Sequence, residues 1–132
     1  MVRTGWLLQA LLALAASGQA LAATEIHVWH SMTGALGDRV GNLAERFNQT
    51  QSDYKVVPVF KGSYDESMAA MIAATRAGNA PHVIQVFEVG TATMMAASGG
   101  EGKKSVVKPV HEVMAMGGQK FDPTVYVPAV SS

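Results

Sequence analysis

The sequence predicts an α/β fold built on a parallel sheet. Three short runs rich in β-branched and aromatic residues alternate with three stretches of helical periodicity. Each strand-helix unit takes about 30 residues, and the right-handed crossover rule makes a parallel sheet the default for that order. A chain of 132 residues, 48% hydrophobic, holds one ordinary domain at most.

The first 22 residues stand apart from that fold. Arg3 is the only charge before Glu25, and from Trp6 to Ala16 the chain is almost wholly apolar before Ser17-Gly18-Gln19. Ala20-Leu21-Ala22 then offers small residues where a signal peptidase reads them, so residues 1–22 are expected to be a signal peptide cleaved after about Ala22. The apolar run is about half of the roughly 20 residues that a membrane-spanning helix needs. Residues 23–132 carry the fold.

Glu25-Ile26-His27-Val28-Trp29-His30 reads as the first strand, running into a turn at Ser31-Met32-Thr33-Gly34. Leu36, Val40, Leu43, Ala44 and Phe47 recur at helical spacing and predict an amphipathic helix, with Asp38, Arg39, Glu45 and Arg46 on its wet side. Tyr54 to Phe60 is the second strand, and Pro58 within it predicts an edge or a bulge. Ser63 or Asp65 caps a helix from about Glu66 to Arg76, with Met68, Met71 and Ile72 inward; Gly78 and Pro81 stop it.

His82-Val83-Ile84-Gln85-Val86-Phe87 is the most apolar of the three strands. Its pattern predicts a central strand buried on both faces. A short Ala/Met-rich helix from Ala92 to Ala97 follows, then a polar, glycine-rich loop over residues 98–105. Beyond it, Val106 to Met116 reads as a turn plus a short helix broken by Gly117-Gly118, and Val125-Tyr126-Val127 as the start of a strand.

Composition removes several functions. Ten Lys and Arg balance ten Asp and Glu, and the lysines are scattered, which argues against the clustered basic face of a nucleic-acid binder. No cysteine means no disulfide framework and no thiolate metal site. His27 and His30, three apart on one strand, point to opposite faces and cannot share a metal ion. Gly34, Gly37 and Gly41 match neither a dinucleotide fingerprint nor a phosphate loop, so no cofactor is expected. No Gly-x-Ser-x-Gly elbow surrounds Ser31, which disfavours an exported serine hydrolase.

In a parallel sheet every strand-to-helix turn emerges at the carboxyl ends of the strands, and ligands bind there. The expected edge gathers Trp29, His30, Ser31 and Thr33 from the first unit, Lys61, Ser63, Tyr64 and Asp65 from the second, and Glu88 and Thr91 from the third. A carboxylate, a phenol, hydroxyls and an aromatic face suit a polyhydroxy ligand: Glu88 can accept from two neighbouring hydroxyls, and Tyr64 can donate or accept.

Several segments are similar to a known family. Trp29-His30-Ser31-Met32, Leu43-Ala44-Glu45-Arg46-Phe47-Asn48, Tyr54-Lys55-Val56-Val57-Pro58, Lys61-Gly62-Ser63-Tyr64, Arg76-Ala77-Gly78-Asn79-Ala80-Pro81 and the run from Gln85 to Met95 together resemble the glycerol-3-phosphate-binding periplasmic proteins, solute receptors of an ABC importer. The resemblance implies a two-lobed, monomeric periplasmic receptor that closes on its ligand and delivers it to a membrane permease, with no catalysis of its own. It implies ligand contacts at Tyr64 and Glu88, with Trp29, His30, Ser31 and Ser63 as possible lining of the cleft. A glutamate repels phosphate, so Glu88 is expected at the glycerol end.

Against that family, residues 98–105 read as an inserted flexible loop, because the family passes almost directly from the Met-Met-Ala helix to the Lys-Pro-Val turn. Residues 23–132 then correspond to a partial N-terminal lobe, with the phosphate-binding positions and the second lobe falling beyond Ser132. The chain is accordingly expected to be a truncated receptor for sn-glycerol 3-phosphate, or for glycerophosphodiesters, that is not competent alone. A receptor for an oligosaccharide or polyol, with Trp29 and Tyr64 stacking on sugar, is the alternative on the same scaffold. A hydrolase using Ser31 and a nonfunctional remnant are the others.

Overall fold

A computed structural model describes residues 22–97 and 105–126. The expected signal peptide therefore lies outside the described residues, save Ala22, as does the glycine-rich stretch, save Ser105. The elements are β1 (Thr24–His30), α1 (Gly34–Asn48), β2 (Tyr54–Phe60), α2 (Tyr64–Ala77), β3 (Val83–Ile84), α3 (Glu88–Ala96) and α4 (Val110–Met116), followed by a short 3-10 turn at Pro123–Val125. The three strands form one parallel sheet in the order β2-β1-β3. The fold class is the one the sequence predicts.

β1 and β2 pair along their whole length, from Thr24 opposite Tyr54 to His30 opposite Phe60. β2 lies at an edge, as its proline requires, and that edge is closed off locally. The Asn48 side-chain amide donates to the Val56 carbonyl (2.9 Å) while its oxygen accepts the Val56 N–H (2.7 Å). Gln51 repeats the arrangement on Tyr54, at 2.7 and 2.8 Å. Successive residues of a strand face opposite ways, so Tyr54, Val56 and Pro58 turn their backbone polar groups to the same side. On that side two residues are satisfied by side-chain amides and the third has no N–H to satisfy.

The third strand differs from expectation. β1, not β3, is central, and β3 is a two-residue strand at the other edge, pairing Val83 with Val28 and Ile84 with Trp29. Single hydrogen bonds extend the pairing at both ends: the His82 N–H donates to the His27 carbonyl (3.1 Å) and the Gln85 N–H to the Trp29 carbonyl (2.9 Å). Past Gln85 the chain turns into α3, which begins at Glu88, four residues earlier than the periodicity suggests. Among the described residues no strand pairs with the outer side of β3, and Val83 is exposed.

The core sits between the sheet and the α2–α3 pair. Met68, Met71 and Met94 form it, with Trp29, Ile72, Ile84, Val86 and Phe87 packed around them. The methionines of α2 therefore point inward as their spacing predicts, and the unbranched thioethers fill an irregular space. Gly90 lets α3 approach: a Cβ there would sit 2.5 Å from the Met68 sulfur and 2.7 Å from the Phe87 ring. α2 itself is well framed, with a reciprocal Ser63–Glu66 capping box at its start and Gly78 in the left-handed conformation (φ 77°) at its end.

Two further expectations fail. Of the apolar stripe on α1 only Ala44 is buried; Leu36, Leu43 and Phe47 are exposed. The segment expected to start a strand near Val125 is instead the 3-10 turn, where Asp122 accepts hydrogen bonds from the Thr124 N–H (2.9 Å) and hydroxyl (2.7 Å), a local geometry that competes with extension. Val127 lies outside the described residues. The chain leaves α3 at Ala97 and re-enters at Val106, whose N–H donates to the Ala97 carbonyl (3.0 Å), beside a Ser105 hydroxyl bond to the Met95 carbonyl (3.2 Å).

Candidate functional site

The three turns at the carboxyl edge of the sheet meet through one side chain. The Gln85 carbonyl oxygen accepts the backbone N–H of Ser31 (3.1 Å), just past β1, and its amide group donates to the Tyr64 hydroxyl (3.4 Å) at the first position of α2. Gln85 thus joins the turns after β1, β2 and β3. The Tyr64 ring stacks on Phe87, centroids 4.8 Å apart and planes 24° from parallel. Glu88, the next residue, is exposed on the first turn of α3, where the helix dipole favours a carboxylate.

The other expected residues occupy the same edge in different roles. Ser63 is the N-cap of α2, its hydroxyl accepting the Glu66 N–H (3.3 Å) while Glu66 accepts the Ser63 N–H (2.7 Å). That bond to the Ser63 backbone, reinforced by the hydroxyl, holds the Glu66 carboxyl below its ordinary value. Trp29 turns into the core and lies beneath Lys61, whose ammonium is 3.9 Å from the ring centroid. His30 is buried, 8% exposed, with its ring against Phe60.

His30 Nδ1 and the Ser31 hydroxyl are buried without a hydrogen-bond partner. No hydrogen bond therefore links a Ser31 nucleophile to a His30 base, which is the geometry an activated serine needs. His27 turns away from His30, to the opposite face. It stacks on His82 at 6.1 Å, and its backbone N–H donates to His82 Nδ1 (3.1 Å). No group of three metal-ligating side chains is present among the described residues.

Gln85 is the residue that reasoning from the sequence passes over. It was visible as the one polar amide within the apolar run from Val83 to Phe87, at the position where a strand ends and its turn begins. A second concavity, an apolar groove of about 600 Å³, lies along the open side of β3 and is bordered by Val83, Met94, Met95, Val107 and Val113. It is separate from the edge that carries Tyr64 and Glu88.

The parallel sheet gathers these polar groups at its carboxyl edge, where α/β proteins bind their ligands. Comparison with known proteins narrows the class. Over 120 residues, 91% of its length, the chain is 53% identical to the sn-glycerol-3-phosphate-binding periplasmic protein UgpB of Salmonella typhimurium. It is equally similar to UgpB of Yersinia enterocolitica, and 52% identical to that of Yersinia pestis over the same share of the chain. The chain spans 26% of the length of these relatives. They are named as binding proteins, not enzymes. No family model matches the chain.

Proposed function

We propose that this chain supplies the hydroxyl-reading side of a periplasmic receptor for sn-glycerol 3-phosphate or glycerophosphodiesters, which hands its ligand to the membrane permease of an ABC importer. It binds and releases without catalysis and uses no cofactor. Tyr64 and Glu88 contact the glycerol hydroxyls, and the complete receptor is a monomer. Export removes residues 1–22.

The observation that carries this reading is the joining of the three carboxyl-edge turns through Gln85. That bridge ties the Tyr64 phenol to the turn that leads into Glu88, in a chain half identical to proteins named for this ligand. A carboxylate placed there repels a phosphate and accepts from hydroxyls, which orients the ligand with its glycerol end toward Glu88.

The test is a chimera in which residues 23–126 replace the matching stretch of Salmonella UgpB, titrated with glycerol 3-phosphate by calorimetry. Tyr64→Phe and Glu88→Gln should each weaken binding by about 1–3 kcal/mol, the usual consequence of leaving a polar partner unpaired. Unchanged affinity in both variants would remove these residues from the site.

A further inference from the structure

We propose that Gln85 is a positioning residue that sets the direction of the Tyr64 phenolic hydrogen, so that Tyr64 meets its ligand as a donor. This inference rests on the reading of Tyr64 as a ligand contact and goes beyond it, since it assigns the polarity of that contact and with it the class of ligand face that fits.

The argument follows the hydrogens along the bridge. The backbone N–H of Ser31 can only donate, so the group of Gln85 that lies 3.1 Å from it must be the carbonyl oxygen. With its oxygen committed there, the Gln85 amide presents its NH2 to the Tyr64 hydroxyl at 3.4 Å. An NH2 group has no lone pair to offer a phenolic hydrogen. The Tyr64 oxygen therefore accepts, and its own hydrogen turns away from Gln85 toward the open carboxyl edge.

The ring's place does not depend on that long hydrogen bond, because the stack on Phe87 fixes it. Packing thus holds the phenol, and the amide orients its hydrogen. Glu88, the residue after Phe87, is exposed on the first turn of α3, and its carboxylate offers lone pairs only. The two residues together select a ligand face that accepts at one atom and donates at its neighbour, as two adjacent hydroxyls of a polyol do. A face made of acceptors alone, such as a phosphate, satisfies Tyr64 and is repelled by Glu88.

Gln85→Glu inverts the relay while changing few atoms. A carboxylate accepts from Ser31 as before and accepts also from Tyr64, which draws the phenolic hydrogen inward. The full chain is compared with Tyr64→Phe, Gln85→Glu and Gln85→Leu by ultraviolet resonance Raman, where the tyrosine doublet distinguishes a phenol that accepts from one that donates. The difference spectrum against Tyr64→Phe isolates Tyr64. In the wild type it should show a phenol that accepts from Gln85 while donating to solvent, in Gln85→Glu one that only donates, and in Gln85→Leu a shift smaller than that of Gln85→Glu.

A wild-type phenol that donates without accepting, or a doublet that Gln85→Glu does not move, would overturn the inference. This measurement needs no ligand. Failure of Tyr64→Phe to weaken binding in the chimera, with the Raman result as expected, would instead remove the ligand role and leave the relay standing.

Discussion

The two edges of this small sheet are finished in opposite ways. Along β2 the outward backbone groups of Tyr54 and Val56 are taken up by Gln51 and Asn48, and Pro58 has no N–H to offer. Along β3 no strand among the described residues takes the outer side, and an apolar groove bordered by Val107 and Val113 runs beside it. An unpaired strand edge is a template for another strand, and folded proteins commonly block it. The described residues block one edge with three local devices and place no strand on the other.

The strongest way to break that contrast is at Met94, which is 1% exposed and lies between the core and the open groove. Met94→Ala should cost about 2–5 kcal/mol in urea unfolding. Amide exchange should accelerate first in β3 and α3 and last between β1 and β2. A uniform acceleration would mean that both edges depend on the same core.

Asn48→Ala probes the closed edge. It strips both partners from Val56 and should cost about 1–3 kcal/mol. Light scattering should then show more association than the wild type does, since a blocked edge has been opened. Unchanged scattering with the expected loss of stability would show that Gln51 and Pro58 suffice as blockers.

Acid provides the smallest and most selective perturbation. Glu25, hydrogen-bonded to Lys55 across β1 and β2 at 3.1 Å, and Glu66, bonded to Ser63, both have carboxyls held below their ordinary value of 4.5. A carboxyl depressed in the folded state contributes stability that is fully present above its unfolded value and is lost as pH falls through the folded one. The β2 side should therefore weaken below about pH 4.5. Glu66→Gln should flatten part of that slope and change stability little at pH 7, because glutamine also serves in a capping box. An unaltered acid profile would show that Glu66 adds nothing to it.

Local signals in the sequence carried the first half of the fold, and interactions between distant residues decided the rest. Strand β2, its edge position and the frame of α2 follow from Pro58, Ser63 and Gly78, each of which acts on its own neighbours. The apolar run of β3 predicts a central strand, because such a run looks the same whether a neighbour covers it or not. Leu36, Leu43 and Phe47 have the spacing of a buried stripe, yet of that stripe only Ala44 is buried. The site was legible as a list of residues on one edge. That Gln85 joins them was not, because its two partners lie 54 and 21 residues away.

The clasp between Ala97 and Val106 bears on how such a chain tolerates change in length. The ends of the intervening stretch are hydrogen-bonded to each other, so the conformational entropy lost in joining them is the quantity that its length controls. That entropy grows only logarithmically, and each doubling of the connecting stretch costs about 0.6 kcal/mol. Residues added between these two anchors therefore leave the positions of α3 and α4 almost untouched. A chain lengthened between these anchors should therefore keep the register of the sheet edge that carries Tyr64 and Glu88.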